Sequence, residues 1–264
     1  MIISRHSMPN APDDTQVGDS PDPARIAELR AMERAGRDRG ARTYLERIRA
    51  ADGDFRYLGE RRSLLHHIAP RRDQVVLDAG CGVGRMALEV APRVARMVCT
   101  DLSPVAIDVL RENAAARGIG NIETFACDLA ELPAGLGPFD TAYCFEVIQH
   151  VPGRAEQVHM LEVIRAALKP GGRCVIDVRR WRTRRGGAKE GLRAGNYWHY
   201  FTPGELRRRL EEAGFREVQL RGASIVPGAI ATRLPGWMHP LEVTLSTLPA
   251  MAGAGGLVVA IARR

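Results

Sequence analysis

Short apolar runs alternate with amphipathic stretches of helical period from Val75 to the end of the sequence. Seven runs have the length and β-branched content of buried strands: Val75–Ala79, Met97–Thr100, Ile122–Ala126, Thr141–Phe145, Arg173–Val178, Glu217–Leu220 and Leu257–Ile261. Helical patterns separate the first five and precede the sixth: Arg85–Arg93, Pro104–Arg117, Leu129–Leu132, Ala155–Leu168 and Glu205–Ala213. This alternation predicts an α/β fold with a mainly parallel sheet and helices on both faces.

The region before the first strand has a different pattern. Residues 1–24 are rich in Pro, Asp, Asn and Ser, which predicts a disordered tail. Residues 25–56 have a charged helical pattern and form a predicted N-terminal helical extension. Gly36 and Gly40 weaken its middle, so that one helix or two are expected there. Residues 57–264 then make up one domain, and residues 179–201 form a basic and aromatic lid on it.

Composition adds little to the choice of a partner. The 264 residues are 45% hydrophobic and 26% charged, as in soluble globular proteins, and the net charge is +7. A basic chain invites a nucleic-acid interpretation. However, only Lys169 and Lys189 among its 38 basic residues are lysines, and such an arginine excess favours biased composition over phosphate binding.

Two further patterns argue against a membrane or metal protein. The N-terminus has no apolar segment of signal-peptide length. The uncharged segment Val243–Ala262 is interrupted by Pro249 and by glycines, which predicts a short helix, a turn and a strand. The five cysteines form no CxxC pair, and the histidines lack ligand-type neighbours. We therefore expect a cytoplasmic protein without a metal.

The segment VVLDAGCGVGR, residues 75–85, predicts a ligand-binding turn. A strand ends at Asp78, and glycines at 80, 82 and 84 let bare backbone approach a ligand. Arg85 stands where a dinucleotide fingerprint has its third glycine, and an acid before the turn disfavours phosphate. The pattern therefore favours a ligand with an ammonium group over a pyrophosphate.

Acidic residues also end the next two strands. Asp101 is suited to bind the hydroxyls of a ribose. Asp128 is suited to accept a hydrogen bond from an adenine amine while Leu129 packs against the ring. Because the carboxyl ends of parallel strands share one edge, we expect the three acids to line one crevice. The three acids together suit a ligand that contains an amine, a ribose and an adenine, but no phosphate.

Six segments in this order resemble the class I S-adenosylmethionine-dependent methyltransferases, in their small-molecule branch of ubiquinone-biosynthesis-like and sugar-type enzymes. They are VLDAGCGVGR, DLSPVAI, CDLAELP, FDTAYCFEVIQHV, ALKPGGRCVIDV and FTPGELRRRLEEAGF. Gln149 departs from that branch, which usually has Glu there. The resemblance implies a Rossmann-like seven-stranded sheet of order 3-2-1-4-5-7-6 with the last strand antiparallel. It also implies S-adenosylmethionine as cofactor and methyl transfer by in-line displacement.

The resemblance places the cofactor against strand ends one to four. The implied cofactor-binding residues are Asp78, Gly80, Cys81, Gly82, Asp101, Leu102, Cys127, Asp128, Leu129, Phe145 and Glu146. Arg61 or Arg62 is a further candidate for the methionine carboxylate, with a solvated helix face as the alternative. For catalysis we consider His150, after the fourth strand, and His199, in the aromatic cluster NYWHYF, as candidate bases. Packed structural roles are the alternative for both.

The sequence therefore predicts methyl transfer to a small-molecule acceptor, with a hydroxyl oxygen favoured over nitrogen or carbon. Arg182, Arg184 and Arg185 in the lid suggest an anionic acceptor, and a solvated loop is the alternative. An RNA-directed methyltransferase, or a nucleic-acid-binding protein, is the alternative function. We do not favour it, since no RNA-binding module and no NPPY-type segment is present. The sequence does not predict the oligomeric state.

Overall fold

The seven-stranded sheet at the centre of the molecule has the strand order expected from the sequence. The computed structural model describes residues 22–181, 188–193 and 196–264. Numbered in chain order, the sheet strands are β1 (Val75–Ala79), β2 (Arg96–Asp101), β3 (Ile122–Ala126), β4 (Phe139–Phe145), β5 (Leu168–Arg179), β8 (Arg216–Ala223) and β9 (Leu257–Arg263). Their order is β3-β2-β1-β4-β5-β9-β8, and only β9 runs antiparallel to its neighbours. The predicted fold class is confirmed.

Helices surround this sheet and extend it at the N-terminus. They are α1 (Pro23–Ala50), α2 (Phe55–Ile68), α3 (Ala87–Val90), α4 (Pro104–Ala116), α5 (Arg154–Ala167), α6 (Pro203–Glu212), α7 (Gly228–Ala231) and α8 (Pro240–Thr247). Single 3₁₀ turns follow several strands and helices, including Leu129–Glu131 after β3 and Ile148–His150 after β4. The predicted helical stretches of the domain therefore form, with ends that differ by a few residues.

Alternate residues of the strands face two apolar layers, because side chains of a strand point to opposite faces. Leu77 and Ala142 belong to the core cluster that contains residues of α5 and α6. Val76 and Tyr143, their neighbours in sequence, belong to the cluster that contains residues of α2, α3 and α4. Both faces of the sheet are thus covered, as the nearly continuous apolar strands require.

The N-terminal extension contains one continuous helix, α1, despite its two internal glycines. Leu45 and Ile48 pack near Val83, Ala106 and Val109, which anchors the second half of α1 to the domain. Asp38 accepts a hydrogen bond from Ser103, the N-cap residue of α4. Tertiary packing therefore outweighs the low helix propensity of glycine at these positions.

The predicted lid contains a structured element that the sequence pattern does not reveal. Within it, β6 (Glu190–Arg193) pairs antiparallel with β7 (Asn196–His199). Arg182, Arg184 and Arg185, on which the anionic-acceptor hypothesis depends, lie outside the described residues, as does nearly all of the predicted tail. That hypothesis stays a prediction.

The segment tested as a membrane span has the substructure expected from its proline and glycines. It contains part of α8, a 3₁₀ turn at Pro249–Gly253 and most of β9. Across the described ranges, no helix combines the length and the apolar character that crossing a bilayer requires.

Candidate active site

A cleft of about 410 Å³ opens at the carboxyl edge of the sheet. Part of its lining, the strand-end wall, consists of residues at or after the ends of β1 to β4: Asp78, Gly80, Cys81, Gly82, Asp101, Leu102, Asp128, Leu129, Phe145, Glu146 and His150. The outer wall comes from β7, which contributes Asn196, and from α1, which contributes Arg30, Glu33, Gly36, Arg37, Gly40, Ala41, Tyr44 and Arg47. The three- and four-residue spacing shows that one face of α1 covers the cleft.

The glycine turn after β1 forms the base of the strand-end wall. Gly80, Gly82 and Gly84 have φ values of 86°, 53° and 88°, which are left-handed conformations that favour glycine. A Cβ atom at Gly80 would lie 2.3 Å from a methyl carbon of Val147, whereas one at Gly82 would meet no atom within 4 Å. Gly80 is therefore required by packing, and Gly82 leaves its backbone open to the cleft.

Asp78 lies at the bottom of the cleft and is only 3% exposed. Its Oδ2 accepts a hydrogen bond of 2.7 Å from the hydroxyl of Tyr143. Burial raises the pKa of Asp78 to about 8, with a smaller contribution from the charge of Asp101, and the Tyr143 bond opposes this shift. A carboxyl group held in this way gains from a cationic partner, since an ammonium group would favour its ionised form.

Asp101 closes the turn from the neighbouring strand. Its Oδ2 accepts the backbone N–H of Gly82 at 2.7 Å, and its Oδ1 accepts that of Ser103 at 2.9 Å. Burial raises the pKa of Asp101, while these two hydrogen bonds lower it. Each oxygen keeps a second lone pair, so the carboxylate can still accept hydrogen bonds from two hydroxyl groups.

Asp128 caps the turn after β3, where its Oδ1 accepts the N–H of Ala130 at 2.9 Å. The guanidinium of Arg30 on α1 lies 3.4 Å from Asp128 Oδ2 and 2.5 Å from Glu156 Oε2. Leu129 lies beside them and is buried. This corner of the cleft therefore combines an apolar surface with an acid, as a purine ring with an exocyclic amine requires.

The end of β4 brings an aromatic ring and a carboxylate to the cleft. Phe145 stacks on Tyr143 with a centroid distance of 4.9 Å. Glu146 has φ of 56°, and its backbone N–H donates to Asp177 Oδ1 at 2.6 Å. Its side chain pairs with Arg179 at 2.6 Å. Strained backbone of this kind is common at functional sites, where the surrounding structure holds it in place.

His150 lines the cleft in a defined tautomer. Its Nδ1 lies 2.9 Å from the carbonyl oxygen of Tyr197, which can only accept, so Nδ1 carries a proton. Gln149 accepts the N–H of Arg179 through Oε1 and turns its amide nitrogen toward His150 Nε2 at 3.4 Å. Burial, and then the charge of Arg37, lower the pKa of His150 to about 4. The ring is therefore neutral at pH 7, with a lone pair on Nε2.

His199 and Cys127 are not brought to the cleft, although the sequence placed both among the site residues. His199 is buried, with Nδ1 at 3.0 Å from Glu190 and Nε2 at 2.9 Å from Glu205. Because carboxylates occupy both ring nitrogens, His199 joins β6 to α6 and has no free nitrogen for an acceptor. Cys127 is half-buried beside Asp128 and is absent from the lining residues.

The lining residues of α1 were not predicted individually. Arg30, Glu33 and Arg37 look like a solvated helix face in the sequence, and only the glycine pair at 36 and 40 was unusual for a helix. Arg61 and Arg62, the two candidates for the methionine carboxylate, do not line the cleft. Arg61 pairs with Asp52 and Glu89, and Arg62 pairs with Glu89. In the described part of the chain, no cluster of three metal-ligating side chains occurs.

Comparison with known proteins agrees with this geometry. A family model described as a methyltransferase domain matches residues 76–172, which include the strand-end wall. This part of the chain is therefore similar to methyltransferase domains. A solved structure shows a similar fold: the 1,6-didemethyltoxoflavin-N1-methyltransferase of Burkholderia thailandensis, with S-adenosylhomocysteine bound, has a TM-score of 0.61 at 23% identity over 97% of this chain and 99% of that one.

Curated relatives have a higher sequence identity to this chain but over shorter stretches. The ubiquinone biosynthesis O-methyltransferase of Xylella fastidiosa is 36% identical over 105 residues, or 39% of this chain. A probable cobalt-precorrin-6B C(15)-methyltransferase of Methanothermobacter thermautotrophicus is 33% identical over 108 residues, or 40% of this chain. The chain spans 40% and 53% of the lengths of these two relatives. The names of these two relatives denote oxygen and carbon acceptors, so they leave the acceptor atom of this chain open.

Proposed function

We propose that this chain transfers the methyl group of S-adenosylmethionine to a hydroxyl oxygen of a small-molecule acceptor. The observation that carries the proposal is the placement of Asp78, Asp101 and Asp128 around one cleft beside a glycine turn. Three carboxylates at neighbouring strand ends suit an amine, a ribose and an adenine, and they repel a pyrophosphate.

The donor and acceptor groups of the strand-end wall fit this cofactor. Asp78, whose pKa is raised to about 8 by burial, would hold the amino group of the methionine part. Asp101 would accept the ribose hydroxyls, and Asp128 with Leu129 would hold the adenine. When bound, S-adenosylmethionine supplies a positively charged sulfonium whose methyl carbon is open to nucleophilic attack.

The chain's contribution to the reaction is chiefly alignment. In-line displacement requires an acceptor oxygen held against the methyl carbon, and such positioning is worth about 7–11 kcal/mol in favourable cases. The rim of the cleft beyond β4, where Phe145, Glu146 and His150 lie, would hold that acceptor. The outer wall above it limits the access of water.

His150 would act as the general base for a hydroxyl acceptor. Its Nδ1 proton is committed to the Tyr197 carbonyl, so Nε2 is the atom that would take the hydroxyl proton. The acceptor hydroxyl would displace the Gln149 amide nitrogen, which lies 3.4 Å from Nε2. General-base assistance of this kind contributes roughly 10²–10⁴-fold in rate. His199 has no part in this proposal, because both of its nitrogens are occupied by carboxylates.

Calorimetry with S-adenosylhomocysteine and with NAD tests the cofactor half of the proposal. We expect binding of the thioether and none of the dinucleotide. The transfer half is tested with methyl-deuterated S-adenosylmethionine and a library of hydroxyl, amine and activated-carbon compounds, with products read by mass spectrometry. Binding of NAD alone would disprove the cofactor assignment, and label found only on nitrogen or carbon would disprove the hydroxyl assignment.

A further inference from the structure

Glu33 on α1 has one buried carboxylate oxygen that lacks a hydrogen-bond partner among the described residues. The residue is 9% exposed and lines the cleft. Its Oε1 pairs with Arg37 Nε at 2.6 Å, whereas Oε2 has no hydrogen-bond partner among the described residues. Since a buried polar atom without a partner costs free energy, an oxygen in this position points to a group that the cleft receives.

Asn196 on β7 presents a second unpartnered acceptor at the same place. Its Oδ1 is buried and lacks a partner in the described part of the chain. The Asn196 amide packs directly against Gly36, where an added Cβ would lie 2.6 Å from Oδ1. Gly36 follows Glu33 by one helical turn, so both acceptors lie where α1 meets β7.

These two acceptors lie next to the proposed base. Glu33 Oε1 is 3.9 Å from His150 Nδ1, and the same ring nitrogen binds the carbonyl of Tyr197, the neighbour of Asn196. The ribose hydroxyls of the cofactor are assigned to Asp101 on the strand-end wall, so they do not need Glu33 or Asn196. A ligand group held by Glu33 and Asn196 is therefore close to His150.

We propose that Glu33 and Asn196 bind the methyl acceptor, and that this acceptor carries two neighbouring O–H or N–H donors, as in a vicinal diol or an amino alcohol. One donor group is methylated beside His150, and the adjacent one is held by Glu33 Oε2 and Asn196 Oδ1. The Glu33 carboxylate disfavours an acceptor with an acidic group at this position. The inference rests on the proposed function and adds the class of its substrate.

The test uses the full-length protein, methyl-deuterated S-adenosylmethionine and a panel of aromatic and aliphatic acceptors. Each scaffold is supplied as a vicinal diol, an amino alcohol, a monohydroxy compound and a hydroxy acid. We expect the first two to be methylated at least tenfold more efficiently than the other two. Equal rates for the monohydroxy compounds, a preference for the hydroxy acids, or no product from any diol or amino alcohol would overturn the proposal.

Glu33→Gln tests the residue directly, because it keeps the shape but turns an acceptor into a donor. We expect kcat/KM for the preferred diol to fall at least tenfold, chiefly through KM, while the Kd for S-adenosylhomocysteine stays within twofold. Glu28→Gln, five residues earlier on an exposed position of α1, should change neither value. A tenfold loss of thioether affinity with an unchanged acceptor KM would assign Glu33 to the cofactor and overturn the proposal.

The thermal stability of a Glu33 variant distinguishes a binding role of this residue from a structural one. Glu33→Met removes the unpartnered oxygen together with the ion pair to Arg37, whose side chain is 47% exposed. Since a pair to such an exposed side chain contributes little, we expect the ligand-free Tm to rise by about 2–4 °C. A lower Tm would mean that Glu33 holds the fold together, against the proposal. Wild-type binding of S-adenosylhomocysteine is measured alongside: if it persists while the acceptor tests fail, only this inference is lost, and if it is absent, the proposed function itself is wrong.

Discussion

On the strand-end wall each of the three aspartates has a hydrogen-bond partner, whereas on the outer wall two buried acceptors have none among the described residues. Asp78 holds the Tyr143 hydroxyl, and Asp101 holds two backbone N–H groups. Glu33 Oε2 and Asn196 Oδ1 remain unpaired within the described residues. The strand-end wall is thus fixed before any ligand arrives, while the outer wall depends on a ligand to complete its hydrogen bonds.

The difference follows from how each wall is built. Asp78, Asp101 and Asp128 are placed by neighbouring parallel strands whose registers the apolar core fixes. The outer wall joins α1 to a short hairpin far along the chain. A binding surface of this kind can change its specificity without disturbing the sheet, which agrees with relatives that share the domain but bear names with different acceptor atoms.

Asp101→Ala should have the largest effect, because it removes the carboxylate of the strand-end wall that is assigned to the ribose. We expect the Kd for S-adenosylhomocysteine to rise at least about 100-fold, because hydrogen bonds to a charged group contribute roughly 1.5–3 kcal/mol each. Calorimetry measures the Kd, and Asp108→Ala on the exposed face of α4 is the control. A change of less than threefold would remove Asp101 from the cofactor site.

Gly80→Ala tests how tightly that wall is packed. The new Cβ would combine a left-handed φ with a 2.3 Å approach to Val147, so we expect a loss of about 2–4 kcal/mol in unfolding free energy. Gly118→Ala is the matched control, since Gly118 has φ of 65° but nothing within 4 Å. It should lose only about 1–2 kcal/mol in urea unfolding. Equal losses of unfolding free energy in the two variants would show that the Val147 side chain can move away from the new Cβ without destabilising the protein.

The raised pKa of Asp78 makes cofactor binding depend on pH. Below the pKa of about 8 the buried carboxyl is protonated, and pairing with an ammonium group requires that proton to leave. The Kd for S-adenosylhomocysteine should therefore fall by up to about tenfold per unit as pH rises from 6 toward 8. Calorimetry in two buffers of different ionisation enthalpy should detect proton release at pH 7. Asp78→Asn should bind more weakly and release no proton; proton release that persists would contradict the assignment.

Gln149→Glu tests the position where the two walls meet. The amide of Gln149 faces His150 Nε2, and a carboxylate there would stabilise the protonated ring. We expect the pKa of His150 to rise from about 4 by about 1 unit or more, followed by NMR titration of the ring protons. The exposed His159 serves as the internal control. An unmoved His150 titration would mean that Gln149 does not set its basicity.

Gly40→Ala should have the smallest effect. We expect it to stabilise the fold and to weaken cofactor binding. Alanine favours the helix by about 0.5–1 kcal/mol, so unfolding free energy should rise. Its Cβ would meet no protein atom within 4 Å at a position that lines the cleft, so we expect the Kd for S-adenosylhomocysteine to rise about threefold.

Ala31→Gly, at an exposed position of α1, is the reverse control: it should lower stability by a similar amount and leave the Kd unchanged. If Gly40→Ala stabilises the protein and binds the thioether normally, the glycine does not make room for the cofactor.

Much of the strand-end wall could be predicted because its information is local. Asp78 and Asp101 stand at the ends of apolar runs, and the glycines at 80, 82 and 84 follow at once. Once alternation with helices implies a parallel sheet, the carboxyl ends of these strands must share an edge. Placement in one cleft therefore follows from short segments read in order.

The outer wall had no such signal. Glu33 and Arg37 are typical residues of a solvated helix, and only the docking of α1 against α4 turns them to the cleft. The strands of the hairpin β6–β7, EGLR and NYWH, have only four residues each, which is too short for their periodicity to identify them. His199 shows the same limit, since its two carboxylate partners come from β6 and α6.

The sequence by itself determined the mainly parallel sheet and the acids along its edge, because periodicity and turn chemistry act over a few residues. The strand order was implied by the resemblance to the class I methyltransferases. Tertiary structure alone decided which faces of α1 and β7 meet, which histidine lines the cleft, and which acceptors are left unpaired. These outcomes depend on packing between residues far apart in the chain, and a single residue's type does not encode its distant neighbours.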